Sequence, residues 1–159
     1  MHIELQQTMQ HLLQVPEWDM EAMVKEVSRF TPVDFRMGIQ WLVAQDKPDL
    51  AQALAEAGLS LFPESEDILA ISGLLSMSRQ DWCLAVELLQ DLIAVQKERV
   101  QPMTFQMLAR ALACNLDIAE AHQVLDQAMK LWPNNPELEQ EKSAMTLSQD
   151  VMSAPSQFN

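Results

Sequence analysis

The chain has 159 residues, 48% of them apolar and 21% charged, a balance that suits a water-soluble domain with a buried core and excludes a wholly disordered chain. A net charge of −13 argues against nucleic acid and against anionic membrane, since phosphates are met by clustered Lys and Arg that release counterions. Only 3 Gly stand against abundant Leu, Ala, Met, Gln and Glu, residues that lose little side-chain freedom in a helix, so an all-α chain is expected.

In chain order, Met1-His2-Ile3-Glu4 lacks the basic start and apolar core of a signal peptide. No apolar run approaches the ~18 residues of a membrane span, so a cytoplasmic protein without membrane insertion is the expectation. Leu5, Met9, Leu12 and Leu13 share one helical face, Pro16 opens a second helix, and Trp18, Ala22, Met23 and Val27 continue the pattern to Phe30. Residues 1–31 thus read as an N-terminal helical pair, either a degenerate repeat or a cap. Thr31-Pro32, Lys47-Pro48, Gln101-Pro102 and Asn135-Pro136 each place proline at a first helical position, where its missing N–H costs nothing. Asn115-Leu116 reads as a turn, and Asp117 with Glu120 as a capping pair for the next helix. Residues 136–151 read as a polar capping helix and 152–159 as a flexible tail.

Internal spacing organises the middle. Pro63 and Pro133 lie 70 residues apart, two units of 35, and Ala51, Ala85 and Ala121 follow at intervals of 34 and 36. The units are 32–65, 66–101 and 102–135. The second closes on Gln96-Lys97-Glu98-Arg99, without the proline of its neighbours. Small residues at Gly73 and Ala109 on first helices, and at Ala51, Ala85 and Ala121 on second helices, let paired helices approach closely. Leu89, Leu112 and Leu125 fill the gaps between them.

This pattern resembles the tetratricopeptide repeat (TPR), a unit of about 34 residues folded as two antiparallel helices. The third unit matches through Leu108, Ala109, Leu112, Ala121, Leu125, Ala128 and Pro133, and the first through Phe35, Gly38, Leu42, Ala51, Ala55, Gly58 and Pro63. The second matches through Leu69, Gly73, Ala85, Leu89 and Leu92, with Ser76 where a large residue is usual. The resemblance covers about residues 32 to 135. It implies an α-solenoid of about three units, flanked by the N-terminal pair and ended by the capping helix.

Chemistry is sparse. His2, His11 and His122 are scattered without metal-ligand spacing, and the glycines form no phosphate loop. No Ser or Cys sits in a recognisable nucleophile elbow, and acids such as Glu64 with Glu66, or Glu137, Glu139 and Glu141, read as turns or exposed faces. Cys83 and Cys114 have no CxxC companion and read as buried reduced thiols. Trp132 is the tryptophan expected to be partly exposed. No cofactor, metal or catalytic residue is assigned.

What remains is a surface. The resemblance implies a concave face built from first helices, lined here by Val33, Arg36, Gln40 and Val43, then Asp67, Ala70, Leu74 and Met77, then Met103, Gln106, Arg110 and Ala113. Such a lining suits a peptide or amphipathic helix with apolar anchors and an acidic group near Arg36 or Arg110. Arg36 and Gln40 resemble two members of the family's clamp for a C-terminal carboxylate, but the others are missing, so capture of a chaperone's acidic tail is not expected. The acidity reads first as solvated helix faces and second as attraction to a basic partner. The expected function is a non-enzymatic adaptor or assembly scaffold with a protein partner, self-association being left open. A type III secretion chaperone for a translocator or needle subunit is the alternative, because small acidic three-repeat chaperones look similar. An enzyme subunit with an interface-built site ranks last.

Overall fold

The computed structural model describes residues 29–153, with positions 7, 10, 11 and 14 ahead of them, and side chains as far as residue 147. The expected pair over 1–31 therefore lies largely outside the described residues, as does the tail from residue 154 onward. Among the described residues from Pro32 onward, seven helices follow one another: α1 Pro32–Ala44, α2 Pro48–Leu61, α3 Glu66–Ser78, α4 Trp82–Gln96, α5 Pro102–Cys114, α6 Ile118–Leu131 and α7 Pro136–Ser153, with a 3-10 turn at Lys97–Arg99. No strand occurs among the described residues. Two compact units divide between Gln96 and Lys97. In the first, α1 packs on α2 and α3 on α4, and α3 also lies against α1 and α2; in the second, α5 packs on α6, and α7 lies against both.

The helices begin where the prolines predict, at Pro32, Pro48, Pro102 and Pro136. Thr31 and Asp34 form a reciprocal capping box at α1: the Thr31 amide donates to Asp34 Oδ2 at 2.9 Å, and the Asp34 amide donates to Thr31 Oγ1 at 3.3 Å. Asn135 Oδ1 caps α7 by accepting from the amides of Glu137 and Leu138. The pair expected at Asp117 and Glu120 does not form. Asp117 has a ψ of 55°, outside the extended region that aims a side chain at the first-turn amides, and its carboxylate accepts from Asn115 Nδ2 at 2.7 Å instead.

Each helical pair is joined by the same three-residue turn. Asp46, Gln80 and Leu116 take φ values of 56°, 62° and 69°. The next amide in each case reaches back five residues: Lys47 to the Leu42 carbonyl at 3.0 Å, Asp81 to Ser76 at 2.9 Å, and Asp117 to Leu112 at 2.9 Å. This is the Schellman ending, which satisfies the orphan carbonyls of a helix C-terminus. It recurs at the alanine interval, so backbone and packing share one period.

The second helix of each pair enters through its alanine. Ala51, Ala85 and Ala121 are fully buried. At Gly58 an added Cβ would stand 3.1 Å from Phe35 Cδ1 and 3.2 Å from Ile68 Cδ1, so glycine there sets how closely α2 approaches both neighbouring helices. Aromatic braces close two of the pairs. Phe35 meets Phe62 edge-on with centroids 6.0 Å apart, and Phe105 meets Trp132 edge-on at 5.8 Å. The two braces are 70 residues apart in sequence, and Trp132 is half-buried as expected.

The cysteines depart from expectation. Both are exposed and unpaired, because Cys83 stands in the first turn of α4 and Cys114 is the last residue of α5, helix ends that face solvent.

Two stability outcomes follow from this packing. Ala121→Leu should lower the unfolding free energy by about 1–3 kcal/mol in thermal or denaturant unfolding, since the site has no room for the added atoms. Leu116→Gly should instead raise it by up to about 1 kcal/mol, because the side chain is 81% exposed and the left-handed backbone suits glycine.

Candidate functional site

In the first unit, α1 presents Val33, Arg36, Gln40 and Val43 along one stripe, and α3 presents Asp67, Ala70, Leu74 and Met77. The spacing is that of one helical face, while the opposite faces bury Phe35, Ile39 and Leu42 on α1 and Ile68, Leu69 and Leu75 on α3. Val33, Val43 and Leu74 are large apolar side chains left 43%, 49% and 46% exposed. Arg36 Nε lies 2.9 Å from Asp67 Oδ1, an ion pair whose N–H is not aligned as a hydrogen bond. The pair links α1 to α3 and neutralises the charge between them. With both partners more than a third exposed, it contributes little stability of its own.

The second unit differs. Met103 is well exposed, Gln106 and Ala113 are half-buried, and Arg110 is exposed. Here Glu141 of α7 meets α5. Its carboxylate accepts from Arg110 Nε at 2.7 Å, from Arg110 Nη2 at 2.5 Å and from Gln106 Nε2 at 2.9 Å. This is the two-pronged geometry in which guanidinium and carboxylate bind most strongly. Hydrogen bonding to Arg110 holds the Glu141 carboxyl below the usual glutamate range, with burial opposing and Gln106 assisting.

Sequence reading placed Glu141 on an exposed face with Glu137 and Glu139. The structure buries it to 8% exposure, while the other two acids face solvent. The reason is register: Leu138, Glu141 and Met145 follow at helical spacing, so Glu141 occupies the middle of the stripe that α7 turns inward. That spacing was a usable signal, masked by the charge. The acidic group anticipated beside Arg110 is thus supplied by the chain itself. On α6, Asp126 pairs with Lys142 of α7, which lowers the aspartate's pKa and adds a second link between these helices.

Among the described residues, no three His, Cys, Asp or Glu side chains gather as a metal set, and no helix is long and apolar enough to cross a membrane. No protein-family model matches the chain, and no curated protein matches it by sequence. Solved structures do. The first TPR of Spaghetti (RPAP3), bound to the HSP90 peptide SRMEEVD, is 14% identical with a TM-score of 0.62, over 75% of this chain and 95% of its own. The N-terminal domain of stress-induced protein-1 from C. elegans is 12% identical with a TM-score of 0.63, over 72% and 94%. MamA MSR-1 is 19% identical with a TM-score of 0.65, over 92% and 85%. The chain has the tetratricopeptide-repeat fold. In TPR terms α1, α3 and α5 are first helices, and the two stripes described above lie along them.

The second compact unit carries a pH dependence with a definite sign. The folded Glu141 carboxyl titrates below its ordinary value of 4.5, so its contribution is present above that value and is lost as pH falls through the lowered one. Glu141→Gln should cost about 1–2 kcal/mol at pH 7, an amount kept modest because solvent can still reach Arg110. The cost should shrink as pH falls below about 4.5, a convergence that denaturant melts of both proteins across pH 3–7 would display.

Proposed function

We propose that the chain is a non-enzymatic adaptor that docks a segment of a partner protein, a peptide or an amphipathic helix, on the first-helix face made by α1 and α3. The observation that carries this reading is the exposure of Val33, Val43 and Leu74 on helices whose other large apolar residues are buried or half-buried. Apolar side chains ranged along helical stripes offer anchors at the spacing by which an amphipathic helix is recognised. The fold supports the same reading, since one structure that shares it holds a peptide.

Of the twelve residues assigned to the lining, the proposal keeps Val33, Arg36, Gln40, Val43, Asp67, Ala70, Leu74 and Met77 as the docking face. Gln106 and Arg110 already serve Glu141, and Met103 and Ala113 beside them are assigned no independent role. The proposal gives Arg36 a shaping role, because Asp67 already answers its charge.

Affinity purification of the tagged protein, with cross-linking mass spectrometry of stoichiometric partners, tests the reading. A partner should cross-link through Lys47, just beyond the end of α1. The double variant Val43→Gln/Leu74→Gln should reduce its recovery at least tenfold with helicity unchanged, the loss of two buried apolar anchors. Equal recovery from that variant would overturn the assignment of the face.

A further inference from the structure

The turn between α5 and α6 carries a side chain that its backbone does not favour. The matching positions of the first two turns hold Asp46 and Gln80, polar and exposed, whereas this one holds Leu116 at a φ of 69° and 81% exposed. Left-handed backbone crowds any Cβ, and a polar residue or glycine at least keeps such a tip hydrated. Leu116 accepts the crowding and sets apolar surface in water as well. A residue held in a sparsely populated conformation without a packing reason points to a contact made outside the chain.

The other end of the same helical pair is hollow. A recess of about 540 Å³ opens there, lined by Lys97, Glu98, Val100, Leu131 and Trp132, all of the second unit. Its apolar wall is firm, because Phe105 braces the Trp132 ring, and Leu131 is left 55% exposed at the opening. α5 is 13 residues long, so recess and knob stand about 20 Å apart, and Leu116 cannot enter the recess of its own chain. The charges beside them are of opposite sign. Asp117, which also accepts from Asn115, and exposed Glu120 flank the knob. Exposed Lys97 and Lys130 flank the recess, with Glu98 offsetting part of their charge and Asp126, a turn before Lys130, shared with Lys142.

We infer that the chain associates head to tail through its second unit, Leu116 of one copy seating in the Val100, Leu131 and Trp132 recess of the next, with Asp117 and Glu120 set towards Lys97 and Lys130. The apolar side chain supplies the anchor, and the opposed charges fix its orientation. Knob and recess lie at opposite ends, so each pairing leaves one of each unused and the contact is heterologous, with copies adding in series. A contact built around one side chain is smaller than a standard stable interface, so the association is weak and follows concentration. It uses none of the residues of the α1 and α3 face and stands whether or not that face docks a partner.

The test is analytical ultracentrifugation of the full chain at low salt from about 10 to about 500 μM, a range that brackets weak association. A reducing agent is present throughout, because Cys83 and Cys114 are exposed. The weight-average mass should at least double across the range. Leu116→Gly, which suits the left-handed backbone, and Leu131→Gln, at an exposed helix end, should each weaken association tenfold or more with helicity unchanged. Glu120→Lys should weaken it about threefold. An equimolar mixture of the two leucine variants should recover a one-to-one dimer and nothing larger, since one variant keeps the recess and the other keeps the knob.

A wild-type chain that stays monomeric throughout would overturn the inference, as would association unchanged by Leu116→Gly or by Leu131→Gln. Failure of the mixture to pair, with each variant monomeric alone, would overturn the head-to-tail geometry. Unchanged or tighter association of Glu120→Lys would overturn the match of acid to cation. The state of the α1 and α3 face enters none of these outcomes, and partner capture by that face is read separately.

Discussion

The structure rests on one steric constraint: a second helix can lie close against its first helix only where its contact residue is small. Ala51, Ala85 and Ala121 meet this requirement and are completely buried. With the backbones this close, the larger side chains on either side interlock. Leu54, Leu89 and Leu125 lie wholly inside, and the aliphatic contacts they make are individually weak and collectively large. The Schellman turns bring the chain back at the same period, so that each alanine returns to its contact. A change of one residue in the length of such a turn would rotate the following helix by about 100° and carry the alanine away from its neighbour.

The aromatic braces show how a repeat can be regular in its turns and irregular in its closure. Phe35 with Phe62 and Phe105 with Trp132 hold the exits of their helical pairs against the first helices. At the corresponding place the middle pair has Leu69 and then Lys97, which takes a left-handed φ of 52° and begins a 3-10 turn. No ring closes that exit, and the boundary between the two compact units falls there, between Gln96 and Lys97. The longer exit visible in the spacing has this physical counterpart: a charged residue cannot supply the apolar wedge that closes the other pairs.

Electrostatics then divides the two first-helix stripes. In each, an arginine that sequence spacing puts on the face is answered by a carboxylate from another helix, Asp67 in the first unit and Glu141 in the second. The outcomes differ because the geometries differ. Asp67 meets Arg36 through Nε alone, without an aligned hydrogen bond, and leaves the neighbouring apolar residues open. Glu141 is buried, takes three hydrogen bonds and brings α7 onto α5. The inward stripe of α7 therefore buries a charge between Leu138 and Met145, a choice that is tolerable only because the charge is paired and hydrogen-bonded there.

What the sequence determined by itself was most of what depends on local rules, the cap expected at Asp117 and Glu120 being the exception. Proline at first helical positions set the starts of α1, α2, α5 and α7, and the recurrence of small residues identified the repeat, because helix propensity and close packing act within a few dozen residues. The candidate stripes followed from the same periodicity, as faces of helices. The tertiary structure alone decided which charged groups are answered and which thiols are exposed. Glu141 looked like its acidic neighbours until α7 was placed on α5, and Cys83 and Cys114 looked like core residues until the helix ends were seen to face solvent. Burial and charge pairing depend on residues about 30 positions away or on another helix, and the pattern along one helix carries no record of them.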